Sequence, residues 1–88
     1  MVSKTVRVVN AQGMHMRPAG MLAAEMKKFA GCNTLLKVNG REVKATAVMQ
    51  IMAAGIKYGS EVEIVCDGEG EREALEAAAG MFENGFGE

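Results

Sequence analysis

The sequence predicts an α+β fold, a two-layer sandwich in which three amphipathic helices pack on one face of a small sheet. Three observations predict it. Strand-like segments fall at Lys4–Val9, Thr34–Val38, Arg41–Ala45 and Glu61–Cys66. Helical spacing governs Pro18–Ala30 and Glu71–Phe82, with a short apolar helix over Ala47–Ala54. Turn residues separate these segments and give the order β-α-β-β-α-β-α.

The first strand places Val6 and Val8 on one side. Asn10-Ala11-Gln12-Gly13 is a loop by composition. In the first helix Pro18, Leu22, Met26 and Phe29 recur on one face, while Glu25, Lys27 and Lys28 take the others. Gly31 is the expected stop, as glycine just past a last turn commonly is. Asn39-Gly40 joins the next two strands and favours a type I′ turn, because both central positions need positive φ. The fourth strand sets Val62, Ile64 and Cys66 on one face and Glu61 and Glu63 on the other. After Asp67-Gly68-Glu69-Gly70, the last helix turns Leu75, Ala78, Ala79 and Phe82 inward and Glu73, Glu76 and Glu83 outward.

Composition bounds the function. A chain of 88 residues predicts a single domain over 1–88, burying roughly 60% of the surface of its unfolded form. At 49% hydrophobic and 24% charged residues it is far from a disordered chain. A net charge of −1 and few aromatics argue against nucleic acid, which needs clustered Lys and Arg or stacking platforms. Charges in Met1–Arg7 interrupt any signal-like run, and the longest apolar stretch, Ala47–Ile56, is broken by Gln50. The expectation is a cytoplasmic protein without membrane insertion, with Cys32 and Cys66 as reduced thiols. No repeats, linkers or low-complexity tracts appear, and nothing points beyond a monomer.

The chemistry concentrates at the only histidine, in Gly13-Met14-His15-Met16-Arg17-Pro18-Ala19. Proline is tolerated in a helix's first turn, where its missing N–H would have had no intrahelical partner. It also discourages α geometry at Arg17, so the first helical residue is open and His15 falls near the N-cap. A helix N-terminus offers free N–H groups and partial positive charge to an anion. The same charge favours a neutral imidazole, whose ring nitrogen can attack. Arg17 adds a guanidinium suited to phosphate oxygens. Nucleophile, anion donors and counter-charge together suit phosphoryl transfer, which asks mainly for positioning and charge stabilisation. The competing reading is a solvated or capping histidine. No second histidine and no cysteine at ligand spacing support a metal site, and no local motif supports a Cys–His pair.

This segment resembles the active-site signature of the HPr family, G-[LM]-H-x-R-P-A. The element order is similar along nearly the whole chain, including the Asn39-Gly40 hairpin and a Met-rich second helix followed by Gly55-Ile56. The resemblance implies an open-faced β-sandwich, a four-stranded antiparallel sheet covered on one face by three helices. It also implies a phosphocarrier of the bacterial phosphoenolpyruvate-dependent sugar phosphotransferase system, an intermediate in phosphoryl transfer rather than a stand-alone enzyme, without cofactor or metal. His15 would take a phosphoryl group on Nδ1 from phosphorylated enzyme I and pass it to a histidine of a sugar-specific IIA domain. Arg17 would stabilise the phosphoryl oxygens, the backbone N–H groups of Met16 and Arg17 would donate to them, and Pro18 and Ala19 would be structural.

Two departures stand out. Met16 occupies a position that is often Ala or Thr in the family. Ala47 falls where many Gram-positive relatives carry a regulatory serine, so control through a hydroxyl there should be absent; neighbouring Thr46 is expected to cap the second helix. That helix is apolar nearly all round, and the resemblance implies that Val48, Met49 and Met52 form a partner surface with Met16, Arg17, Gly20 and Met21. The alternative is that these methionines fill core gaps. Rival functions are a regulatory HPr-like protein signalling by its phosphorylation state and a ferredoxin-like binding module, in which His15 is incidental.

Overall fold

A computed structural model describes residues 1–88. Its elements in chain order are strand β1 (Val2–Arg7), helix α1 (Met16–Met26), strands β2 (Cys32–Val38) and β3 (Arg41–Lys44), helix α2 (Val48–Ala53), strand β4 (Glu61–Gly68) and helix α3 (Glu71–Glu83), with a 3-10 turn at Gly85–Gly87. The four strands form one antiparallel sheet in the order β1-β4-β2-β3. Helix α3 packs on β1, β4 and β2, α2 packs on β3, and α1 lies against both other helices. This is the two-layer, open-faced arrangement that the sequence predicts.

Alternation along the strands decides which side is covered. Val6 on β1, Leu36 and Val38 on β2, and Val62, Ile64 and Cys66 on β4 are buried and join one core with Leu22, Met26, Ile51 and Phe82 from the helices. On the opposite face Lys37 stands across from Glu63 on β4 and Glu42 on β3, opposite charges that suit a solvated surface. Asn39 and Gly40 have φ of 52° and 74°, the two positive angles that a type I′ turn requires.

Four details correct the sequence-based expectations. Helix α1 ends at Met26, not Ala30. Beyond it, Lys28 and Phe29 donate three residues back to Glu25 and Met26, a tightened turn that still rests Phe29 against the core. Gly31 therefore ends no helix, and it has no left-handed φ. On α3 Ala74 is fully buried alongside the predicted Ala78, Ala79 and Phe82, whereas Leu75 is half-buried and packs against the core from the helix margin. The N-cap of α2 is Ala47, without a side-chain bond, so Thr46 stands one residue too early to cap. The Lys44 N–H instead donates to Gln50 Oε1 at 3.3 Å.

Cys66 is buried, Cys32 half-buried, and both are free thiols. The Thr34 hydroxyl lies between them, 3.8 Å from Cys32 Sγ and 3.6 Å from Cys66 Sγ. Burial pushes the Cys66 thiol up, against the Thr34 contact, and so keeps it protonated and unreactive.

Candidate functional site

His15 is the N-cap of α1. Its backbone is extended (φ −77°, ψ −173°) and its carbonyl accepts the Ala19 N–H at 3.1 Å. Pro18 carries no N–H, which leaves those of Met16 and Arg17 as the helix-start donors with no intrahelical acceptor. Both groups named from the sequence as backbone anion donors thus sit immediately after the histidine.

The loop that delivers His15 is pinned from two sides. Gly13 has φ of +67°, and a Cβ there would lie 2.6 Å from Lys57 Cα and 2.7 Å from the Ile56 oxygen, so only glycine fits. The next residue, Met14, is buried and donates its N–H to that Ile56 oxygen at 3.1 Å. Within the loop, Asn10 is 4% exposed, and its Nδ2 donates to the Gly13 oxygen at 2.6 Å. Asn10 Oδ1 is buried without a partner.

The chain's last turn completes the site, which sequence reasoning did not foresee. Phe86 is buried and meets the Phe82 ring edge-on, with centroids 5.0 Å apart and planes at 72°, a favourable aromatic geometry. Phe86 has φ of 55°, an uncommon angle for a bulky residue, held here by that burial. The turn sends Glu88 back over the loop. Glu88 Oε2 lies 2.7 Å from His15 Nε2 and 3.3 Å from Arg17 Nη1, while Oε1 accepts from Asn10 Nδ2 at 3.1 Å. Although Glu88 as a residue counts as exposed, its side chain keeps only 21% of its exposure. Desolvation opposes ionisation of this carboxyl, but the bonds from Asn10, His15 and Arg17 outweigh it and hold it below the ordinary carboxylate value.

An ionised carboxylate can only accept. The ring nitrogen facing it must therefore carry the hydrogen, which in a neutral imidazole leaves the lone pair on Nδ1. Glu88 is far from His15 in sequence, and Asn10 reads there only as part of a loop. The two available signals were an asparagine ahead of the glycine and a phenylalanine flanked by glycines near residue 86.

Arg17 has an exposed side chain and, beside His15, borders a hollow of about 540 Å³ lined with Val9, Asn10, Ala11, Gln12 and Glu88. The predicted apolar surface lies on neighbouring helices. Met16 is 66% and Met49 76% exposed, with Met21 and Met52 less so and Gly20 and Val48 half-buried. These four methionines are among only seven exposed large hydrophobic residues, so they are not core filling. No group of three His, Cys, Asp or Glu side chains converges as a metal site. No helix is long and apolar enough to cross a membrane.

The family model described as "PTS HPr component phosphorylation site" matches residues 2–84. The chain is 40% identical over 88 residues to phosphocarrier protein HPr of Treponema pallidum, covering all of this chain and 99% of that one. It is 36% identical over 88 residues to the HPr of Xylella fastidiosa, covering all of this chain and 98% of the relative. Among solved structures, HPr from Thermoanaerobacter tengcongensis superposes with a TM-score of 0.94 at 31% identity, over all of this chain and 98% of that one. With the motif at the start of α1 and the fold in agreement, the chain belongs to the HPr family, the phosphocarriers of the phosphotransferase system.

Proposed function

We propose that residues 1–88 act as one HPr-like domain in which His15 accepts a phosphoryl group on Nδ1 from phosphorylated enzyme I. The group then passes to a histidine of a sugar-specific IIA domain. The observation that supports this reading is the contact of Glu88 with Nε2, which favours the tautomer with its lone pair on Nδ1, at a helix start. Arg17 and the N–H groups of Met16 and Arg17 supply charge and donors for the arriving oxygens. Transfer between carriers needs no metal held by this chain, because positioning and neutralisation of the phosphoryl charge are the protein's main tasks.

The methionine surface on α1 and α2 is the docking face for both partners in turn, with Met16, Gly20, Met21, Val48, Met49 and Met52 around the nucleophile. Methionine side chains re-pack against surfaces of different shape. Because Ala47 offers no hydroxyl, regulation by serine phosphorylation at that position is absent. A monomer in the cytoplasm fits a diffusible carrier of this kind.

The test is intact-protein mass after incubation with phosphoenolpyruvate and enzyme I from the same organism. Wild type should gain one acid-labile phosphoryl group and folded His15→Ala none. A wild-type protein that stays unmodified would make His15 a structural cap and leave a binding role.

A further inference from the structure

Glu88 is held by donors from three parts of the chain: Asn10 in the loop, His15 at the N-cap and Arg17 in the first turn of α1. The buried Phe86 fixes the turn that carries it. Such an anchored carboxylate on a nucleophilic histidine has a chemical consequence that goes beyond binding.

We propose that Glu88 is a positioning residue that keeps the hydrogen on His15 Nε2 throughout the transfer cycle, so that the ring always departs as neutral imidazole. This rests on the phosphocarrier reading. In the accepting step the Nδ1 lone pair forms the N–P bond, and the donor's bond to phosphorus breaks with its electron pair returning to the donor. The ring then carries a positive charge shared between its nitrogens, with the hydrogen still on Nε2 and facing the Glu88 carboxylate. That is a charge-assisted hydrogen bond, stronger than a neutral one. In the donating step the N–P bond breaks, its pair returns to Nδ1, and the neutral Nε2–H ring is restored. No proton leaves or enters in either direction. Were Nε2 to lose its hydrogen while phosphorylated, the leaving group would be imidazolate, a far poorer one.

Asn10 serves the same end. Its Nδ2 holds Oε1, which turns Oε2 toward the ring, and its second bond to the Gly13 oxygen ties the carboxylate's support to the loop that bears His15. The charged group facing the ring is Glu88, whose Oε2 is shared by His15 Nε2 and the Arg17 guanidinium in the unphosphorylated protein.

Glu88→Gln and Glu88→Ala test the proposal, since neither disturbs the buried Phe86. Phosphoryl transfer from enzyme I should fall roughly tenfold in kcat with KM unchanged. Nitrogen-15 NMR of the ring should show Nε2 protonated in the unphosphorylated wild type and a mixture of tautomers in Glu88→Ala. In the phosphorylated proteins at one slightly alkaline pH, Nε2 should keep its hydrogen in wild type and lose it in both variants. Equal rates and identical ring spectra in wild type and variants would overturn the role of Glu88 while leaving the carrier reading intact. Failure of the wild type itself to be phosphorylated would overturn both.

Discussion

The loop before α1 and the apolar strip along α1 and α2 share one helix, yet they are built in opposite ways. Residues 10–15 are locked by a buried asparagine, a glycine with no room for Cβ, and a buried methionine. Met16 and Met49 stand largely in solvent with the part-exposed Met21 and Met52, all on adaptable side chains. The contrast follows from what each region is proposed to do. Attack on phosphorus has one productive geometry and rewards rigidity. Docking on two partners of different shape rewards adaptable side chains, at little cost to the fold.

Breaking the rigid half should cost most. Gly13→Val forces a β-branched residue into positive φ against Lys57 and Ile56, and should destabilise the fold by about 3 kcal/mol or more. Thermal melting reads the loss, and phosphoryl uptake should fall with it. Arg17→Ala should lower the transfer rate about a hundredfold, the usual scale for removing one charged donor from a transition state. The melting temperature should hardly move, since its side chain is 59% exposed and its ion pair lies at the surface. Arg17→Lys should restore only part of the rate, because a point charge lacks the guanidinium fork.

The adaptable half should behave differently. Met49→Glu removes an exposed apolar contact and adds a charge, so affinity for enzyme I should weaken by about tenfold, or 1.4 kcal/mol, with stability unchanged. Titration calorimetry and melting would separate the two effects. Equal losses of stability and affinity would show that this residue belongs to the core after all.

The smallest effect sharpens the comparison through pH. The Glu88 carboxyl is held below its ordinary value of 4.5, so its ionised form favours the folded state. That contribution is present above 4.5 and is lost as pH falls through the lower folded-state value. The difference in melting temperature between wild type and Glu88→Gln should therefore be present at neutral pH and close in acid.

Local features were legible in the sequence, and contacts between distant residues were not. The alternation in Glu61–Cys66, the Asn39-Gly40 turn and the segment from Gly13 to Ala19 each express a rule that acts within a few residues. The end of α1 was misplaced because the apolar spacing from Met26 to Phe29 is satisfied equally by a helix and by a tightened turn. Ala74 joins the core of α3 while Leu75 packs against it only from the helix margin, a shift of one position that apolar spacing alone does not resolve. Glu88 meets His15 across 73 residues and Asn10 across 78, separations that leave no periodic trace. The methionine strip was readable as an excess of apolar residues on a helix too short to bury them all round.

The central claim is that phosphorus bonds to Nδ1 of His15. Phosphorus–nitrogen coupling in the NMR spectrum of the nitrogen-15-labelled, phosphorylated protein tests it most directly. Coupling confined to Nδ1, with Nε2 still bearing its hydrogen, is the predicted result. Coupling to Nε2, or a phosphoryl group on any residue other than His15, would contradict the account.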